Sequence, residues 1–199
     1  MFKGHAEATT KRFGGKGGDK TEFEGVREEG IGIQMVAVKK ESEIIEFPIP
    51  LPRSAGPWSN VEGGKPWDDG VFSKVKEVNL HICLVNNIDI ICGVQFLYER
   101  RDGRDVLSTW HGSCHGKIKQ LKLDEDDFLV GVEGFYGPIE GVDTIKSLKF
   151  YTKKKAWGPF GREVGKYFNS DMGSKGMVVG FYGSSGAHLN AIGVHTEYF

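Results

Sequence analysis

A chain of 199 residues, 39% hydrophobic and 12% aromatic, is long enough for one domain with its own core plus a shorter segment. Its 26 Lys and Arg against 27 Asp and Glu leave a net charge of −1, which argues against nucleic acid or an anionic membrane as a partner. No apolar run approaches a membrane span, the first residues lack the apolar centre of a signal peptide, and there is no Asn-x-Ser/Thr sequon. Three cysteines, Cys83, Cys92 and Cys114, form no paired framework and are expected as reduced thiols in a cytosolic chain. With 29 glycines and few helical windows, the composition favours an all-β fold with many tight turns.

Residues 1–53 are expected to be an N-terminal segment and linker. The run from Phe13 to Phe23 holds Gly14, Gly15, Gly17 and Gly18. It is a near miss to a phosphate-binding loop. That motif needs Gly where Asp19 stands and an apolar strand before Gly14, so nucleotide binding is rejected. Gly30–Val38 has the pattern of a strand, and Phe47–Pro52 reads as a Pro-rich, extended connector. From Ser54 to Gly70 the chain is too rich in Gly, Pro and Asp for helix or central strand. Two tryptophans, Trp58 and Trp67, bracket Gly63-Gly64, which predicts a loop with aromatic anchors and bare backbone at the glycines.

Beyond Gly70 the pattern has period two. Val78, Leu80, Ile82 and Leu84 alternate with polar residues, Asn86-Asn87 fits a turn, and Ile90 to Tyr98 alternate again. Shorter strands are expected at 106–110, 118–123 and 128–132, with later ones at 145–152, 177–183 and 189–196. The acidic run Asp124–Asp127 reads as an exposed polar turn, since calcium needs alternating oxygen ligands and a closing carboxylate. Strands of this length separated by turns suggest a sandwich, barrel or prism, and periodicity does not choose among them.

No arrangement of residues points to catalysis. His111 and His115 flank Cys114, but no second pair stands at zinc-finger spacing, so no metal is expected. Asp68 and Asp69 are adjacent and point apart, which does not suit the two flanking acids of glycoside hydrolysis. There is no Gly-x-Ser-x-Gly elbow, and no cofactor is expected.

The two ends of residues 54–199, taken together, resemble the jacalin-related lectins. The opening carries Gly56-Pro57-Trp58, Gly63-Gly64 and Trp67-Asp68-Asp69-Gly70. The close carries Gly180-Phe181-Tyr182-Gly183, the loop Gly186-Ala187-His188-Leu189-Asn190, and Ala191-Ile192-Gly193-Val194. Between them fall His111-Gly112, Gly134-Phe135-Tyr136-Gly137, Ile145–Phe150 and Trp157–Gly161. The resemblance implies a jacalin-like β-prism of three four-stranded antiparallel sheets at 54–199, with a short N-terminal extension. For residues 1–53 two readings stand, a truncated repeat of the same type or fortuitous glycine content.

The resemblance also implies a site. Gly64, Gly186, Ala187, His188 and residue 190 would line a carbohydrate-binding pocket, with Phe135 and Tyr136 in a peripheral specificity loop. The family has Asp at 190, where this chain has Asn190, and an amide offers one acceptor where a carboxylate offers two. Two functions follow. One is a non-catalytic lectin for mannose/glucose-type glycans or glycoproteins. The other is a degenerate domain, silenced by Asn190, that acts as a protein-interaction module. The uninterrupted chain before Gly56 suggests the mannose-preferring branch, because the galactose-preferring branch needs a cleaved N-terminal glycine. By resemblance the expected location is cytoplasmic, with nuclear members also known in this plant family, and a homo-oligomer is compatible with it.

Overall fold

The computed structural model describes residues 33–40, 43–50, 53–170 and 176–198, with side chains for the last two ranges. The chain divides into two units, Met1–Leu51 and Pro52–Phe199. In the first, β1 (Ile33–Lys40) pairs antiparallel with β2 (Glu43–Pro50). The expected connector is therefore strand up to Pro50. Both strands of a two-stranded ribbon are edges, where a proline without an N–H is tolerated. The glycine-rich stretch 13–23 lies outside the described residues.

The second unit contains only strands and one short 3-10 turn among its described residues. In chain order these are β3 (Arg53–Trp58), the turn Val61–Gly63, β4 (Lys65–Asp68), β5 (Lys74–Val85), β6 (Ile88–Glu99), β7 (Asp105–Leu107) and β8 (His111–Gly112). There follow β9 (Lys117–Lys122), β10 (Leu129–Ile139), β11 (Val142–Thr152), β12 (Ala156–Gly161), β13 (Lys166–Asn169), β14 (Gly176–Ser185) and β15 (Leu189–Tyr198). They form three antiparallel sheets with four-strand paths β3-β15-β14-β4, β7-β6-β5-β9 and β12-β11-β10-β13, while β8 adds to β6.

Each sheet is built on one long hairpin flanked by shorter strands. Two of the hairpins close through two-residue turns in the left-handed region, Asn86-Asn87 (φ 49 and 61) and Glu140-Gly141 (φ 52 and 85). That is the turn whose twist matches paired strands, and Asn and Gly adopt it at least cost. The third, β14 to β15, closes through Gly186, Ala187 and His188.

The inward faces of the three sheets share one core. Phe96, Tyr98, Phe150 and Phe181 are fully buried, and Phe96 stacks on Phe181 at 4.0 Å between ring centroids. Each such side chain contributes roughly 1.5–3 kcal/mol by leaving water. Trp58 and Trp67 pack against this core as loop anchors, Trp58 stacking on Phe168 at 4.9 Å.

Each hairpin also carries a register shift near its turn. Ile82 pairs with Ile91 and His81 with Gly93, leaving Cys92 as the extra residue of β6. Tyr136 pairs with Ile145 and Phe135 with Ser147, leaving Lys146 extra in β11. Ser185 pairs with Leu189 and Ser184 with Ala191, leaving Asn190 extra in β15. A bulge bends its strand and re-aims the side chain of the added residue.

Three expectations are corrected here. Cys83 and Cys92 are joined as a disulfide across the β5–β6 hairpin, and only Cys114 is free, so the reading of three reduced thiols does not hold. The two cysteines stand on either side of the Asn86-Asn87 turn, which brings their Cα atoms to 5.8 Å. Asp127 in the acidic run is buried, accepting from the N–H groups of Phe128 and Lys154, while Asp124 and Asp126 are exposed and pair with Lys154. Phe135 and Tyr136 lie inside β10 and not in a loop.

Candidate functional site

Three chain segments meet at Asn190. The first is the Gly63-Gly64 bend. Asn60 caps the 3-10 turn before it by accepting from the Glu62 N–H at 3.0 Å, and Ser184 Oγ donates to the Val61 carbonyl at 2.8 Å. These bonds lay the bend against β14. A Cβ added to Gly64 would lie 2.4 Å from the Ser185 carbonyl carbon and 2.7 Å from Asn190 Oδ1. Only glycine allows the backbone this close.

The second segment is the β14–β15 turn, held by the Gly186 N–H donating to the His188 carbonyl at 2.9 Å. Gly186 and Ala187 are exposed, and the N–H groups of Ala187 and His188 have no main-chain acceptor among the described residues. His188 is half-buried, and its Nδ1 is sealed from solvent without a partner.

The third segment went unnoticed in the sequence. It is the tip of the β10–β11 hairpin. Asn190 Nδ2 donates to the Asp143 carbonyl at 3.1 Å, and Val142 Cγ1 would sit 2.4 Å from a Cβ on Gly63. The carbonyl fixes which way the amide faces. Nδ2 is committed to Asp143, so Oδ1 turns toward Gly64 and Gly186. That oxygen has no hydrogen-bond partner, and Asn190 is only 3% exposed. A buried acceptor left unpaired costs about 1–3 kcal/mol. That oxygen is also sealed from solvent, so a donating hydroxyl would reach it only with a shift of the bend or the turn.

The expected site residues Gly64, Gly186, Ala187, His188 and Asn190 therefore fall in one cluster. Phe135 and Tyr136 have other neighbours. Phe135 meets Tyr167 edge-on at 5.4 Å, and Tyr136 packs against the core beside Phe168.

Asp68 and Asp69, next to the Gly63-Gly64 bend in sequence, serve two separate networks. Asp69 accepts from the buried Tyr98 hydroxyl and bonds His111 Nε2, both at 2.8 Å, while Trp67 stacks on the His111 ring at 3.8 Å. Burial pushes the Tyr98 phenol well above its usual range, and the Asp69 charge beside it adds to the shift. On the outer face, His195 bonds Ser54 Oγ through Nδ1 and Asp68 Oδ1 through Nε2, both at 2.9 Å. This serine–histidine–aspartate chain spans the edge strands β3 and β4, and the Tyr182 ring lies beside His195 at 4.9 Å. It ties the strands that carry the Gly63-Gly64 bend. Burial alone would raise the Asp68 carboxyl, but His195 and the Gly70 N–H outweigh it and hold it below the usual carboxylate range.

Comparison with known proteins finds similar chains and folds. The family description "Jacalin-like lectin domain" matches residues 55–195. The chain is 40% identical over 176 residues to an agglutinin of Castanea crenata, covering 86% of this chain. That alignment is longer than residues 54–199, so it takes in part of the N-terminal segment. The chain spans 55% of that relative's length. A galactose-specific lectin of Morus indica is 32% identical, with 70% of this chain and 88% of that protein covered. Among solved structures, an artocarpin–mannotriose complex superposes with a TM-score of 0.65 at 31% identity, covering 75% of this chain and 99% of that one.

Proposed function

The chain belongs to the jacalin-like lectin family, and from that premise we propose that it binds mannose/glucose-type glycans reversibly and without catalysis, at the cluster around Asn190. The observation that carries this reading is the oriented amide. Asn190 Oδ1 is one acceptor held toward Gly64 and Gly186, and the Ala187 and His188 N–H groups are donors in the turn that follows Gly186. Vicinal sugar hydroxyls both donate and accept, and this set answers them in both senses. By resemblance, the uninterrupted sequence before Gly56 favours the mannose reading. The similarity to artocarpin, solved with mannotriose, points the same way. The galactose-specific relative from Morus indica is the counterweight.

A second reading has its own observation. Asn190 Oδ1 is closed in by the bend and the turn, and no carboxylate stands at 190 to accept a second hydroxyl. A domain silenced in this way would serve as a protein-interaction module. Titrating the full chain with methyl α-mannoside and, separately, methyl α-galactoside, while following the amide signals of Gly64, Ala187 and His188, decides between these readings. Saturable shifts with the mannoside alone are the expected result. Saturation with the galactoside alone would reverse the specificity, and no shifts with either would favour the interaction module. In the cell we propose glycoproteins that carry such glycans as the targets.

A further inference from the structure

The site around Asn190 has two counterparts in the same fold. Three short strands begin with the same two-residue step, Gly64-Lys65 before β4, Gly116-Lys117 before β9 and Gly165-Lys166 before β13. In the register, Lys65 pairs with Ser185, Lys117 with Ile82 and Lys166 with Tyr136. Those three partners are the residues at which the bulges fall. A Cβ on the glycine of each step would strike its partner's carbonyl oxygen, at 2.5 Å for Gly64, 2.3 Å for Gly116 and 2.3 Å for Gly165. The positions that follow the partners are Gly186, Cys83 and Gly137. The extra residues of the bulges are Asn190, Cys92 and Lys146. The three notches are thus the same construction with different contents.

The β5–β6 notch is plugged. Cys83 puts a side chain where the others have glycine, and it is joined to Cys92. The β10–β11 notch has glycine on both walls, and the Lys146 side chain lies against the Gly137 wall. Gly137 and Gly165 face one another there, with a Cβ on Gly137 lying 3.9 Å from the Gly165 Cα and 3.3 Å from Lys146 Nζ. Lys146 is 7% exposed, yet among the described residues no carboxylate forms an ion pair with it and its ammonium makes no hydrogen bond. Lysines buried to this degree are normally paired. Unlike Asn190 Oδ1, its ammonium is not sealed from solvent. Arg162 and Lys166 flank the notch in the chain, with Lys166 lying over the Tyr136 ring at 5.9 Å. Glu163 is exposed in the same loop and does not pair with Lys146.

We propose that the Gly137–Gly165 notch is a second ligand site, distinct from that of Asn190, in which Lys146 receives the carboxylate or sulfate group of an acidic sugar residue. The anionic character follows from the lysine alone. That a sugar carries the anion rests on the lectin reading. An ammonium with three donors and no acceptor suits an oxyanion, and bonds between charged partners are about twice as strong as neutral ones.

The test uses the full chain at fixed pH and low salt, titrated with methyl β-glucuronide, with methyl β-glucoside as the neutral control and sodium sulfate as the bare anion. The amides of Gly137 and Gly165 report this notch. Those of Gly64 and Ala187, followed with methyl α-mannoside in the same sample, report the other, so the two readings fail separately. We expect saturable glucuronide shifts at Gly137 and Gly165, none there with the glucoside, and binding weakened on the order of tenfold or more in Lys146→Met. Sulfate shifting the same amides would support the site and assign it to charge; a response to glucuronide only would support it and assign it to the sugar. Equal response to glucuronide and glucoside, or no response to either anion, would overturn the proposal without recourse to any variant. So would unchanged affinity in a folded Lys146→Met.

Discussion

The β14–β15 and β5–β6 hairpins carry the same bulge, yet one frames the proposed sugar site and the other is filled. At the first, Gly186 leaves room, and Asn190 brings an oxygen that the Asp143 carbonyl orients from behind. At the second, Cys83 occupies the room, and Cys92 brings sulfur bound to it. The backbone frame is shared, so the frame alone makes no binding site. Two side-chain positions decide it, the one after the bend's pairing partner and the extra residue of the bulge.

The largest expected effect comes from a side chain added at the Gly63-Gly64 bend. Gly64→Ala drives a Cβ into the Ser185 carbonyl and toward Asn190 Oδ1. We expect a loss on the order of 2 kcal/mol in urea unfolding together with loss of mannoside binding. Wild-type stability in this variant would mean that the backbone contact is looser than described. Next comes the converse change in the filled notch. Cys83→Gly should cost about 1–2 kcal/mol as its packing and cross-link are lost. It should gain no mannoside response at the Gly116 amide, since Cys92 supplies no oxygen. A response there would show that the bulge residue does not set the ligand.

The smallest effect is acid sensitivity, which arises away from both hairpin turns. Asp68 is held low by His195 and Gly70 against the opposing effect of burial. Glu133 is held low by Tyr151, Tyr167 and Lys149, again against burial. A carboxylate with a lowered folded pKa stabilises the protein above its unfolded value, and that contribution disappears as pH falls through the folded value. Stability should therefore decline below about pH 4, by less than about 1 kcal/mol for the Asp68 pair, whose side chain is 58% exposed. Glu133→Gln should flatten the acid limb of a Tm-against-pH curve.

The sequence was most legible where chemistry is local. Gly63-Gly64, the Gly186–Asn190 turn and the two tryptophan anchors are contiguous signals, and alternation gave the long hairpins. The bulges were not legible, because a period-two pattern is indifferent to one added residue and neighbouring core residues mask the slip. For that reason Lys146 fell inside a plain strand at 145–152, while Cys92 read as a reduced thiol because three cysteines make no paired framework. The cysteine pair did leave a signal, since Cys83 and Cys92 stand at nearly equal distances from Asn86-Asn87. The roles of Val142 and Asp143 left none. They come from another sheet, Val142 to Gly63 and Asp143 to Asn190, and the contact with Asn190 is a main-chain carbonyl, to which residue type is irrelevant.

The most direct measurement compares methyl α-mannoside affinity between the full chain and Asn190→Ala, by amide shifts in samples of matched fold. Losing the one oriented acceptor should weaken binding about tenfold or more, with the largest change at Gly64 and Gly186. Equal affinity in the two proteins would contradict the account, because the sugar would then be held without the oxygen that Asp143 holds in place.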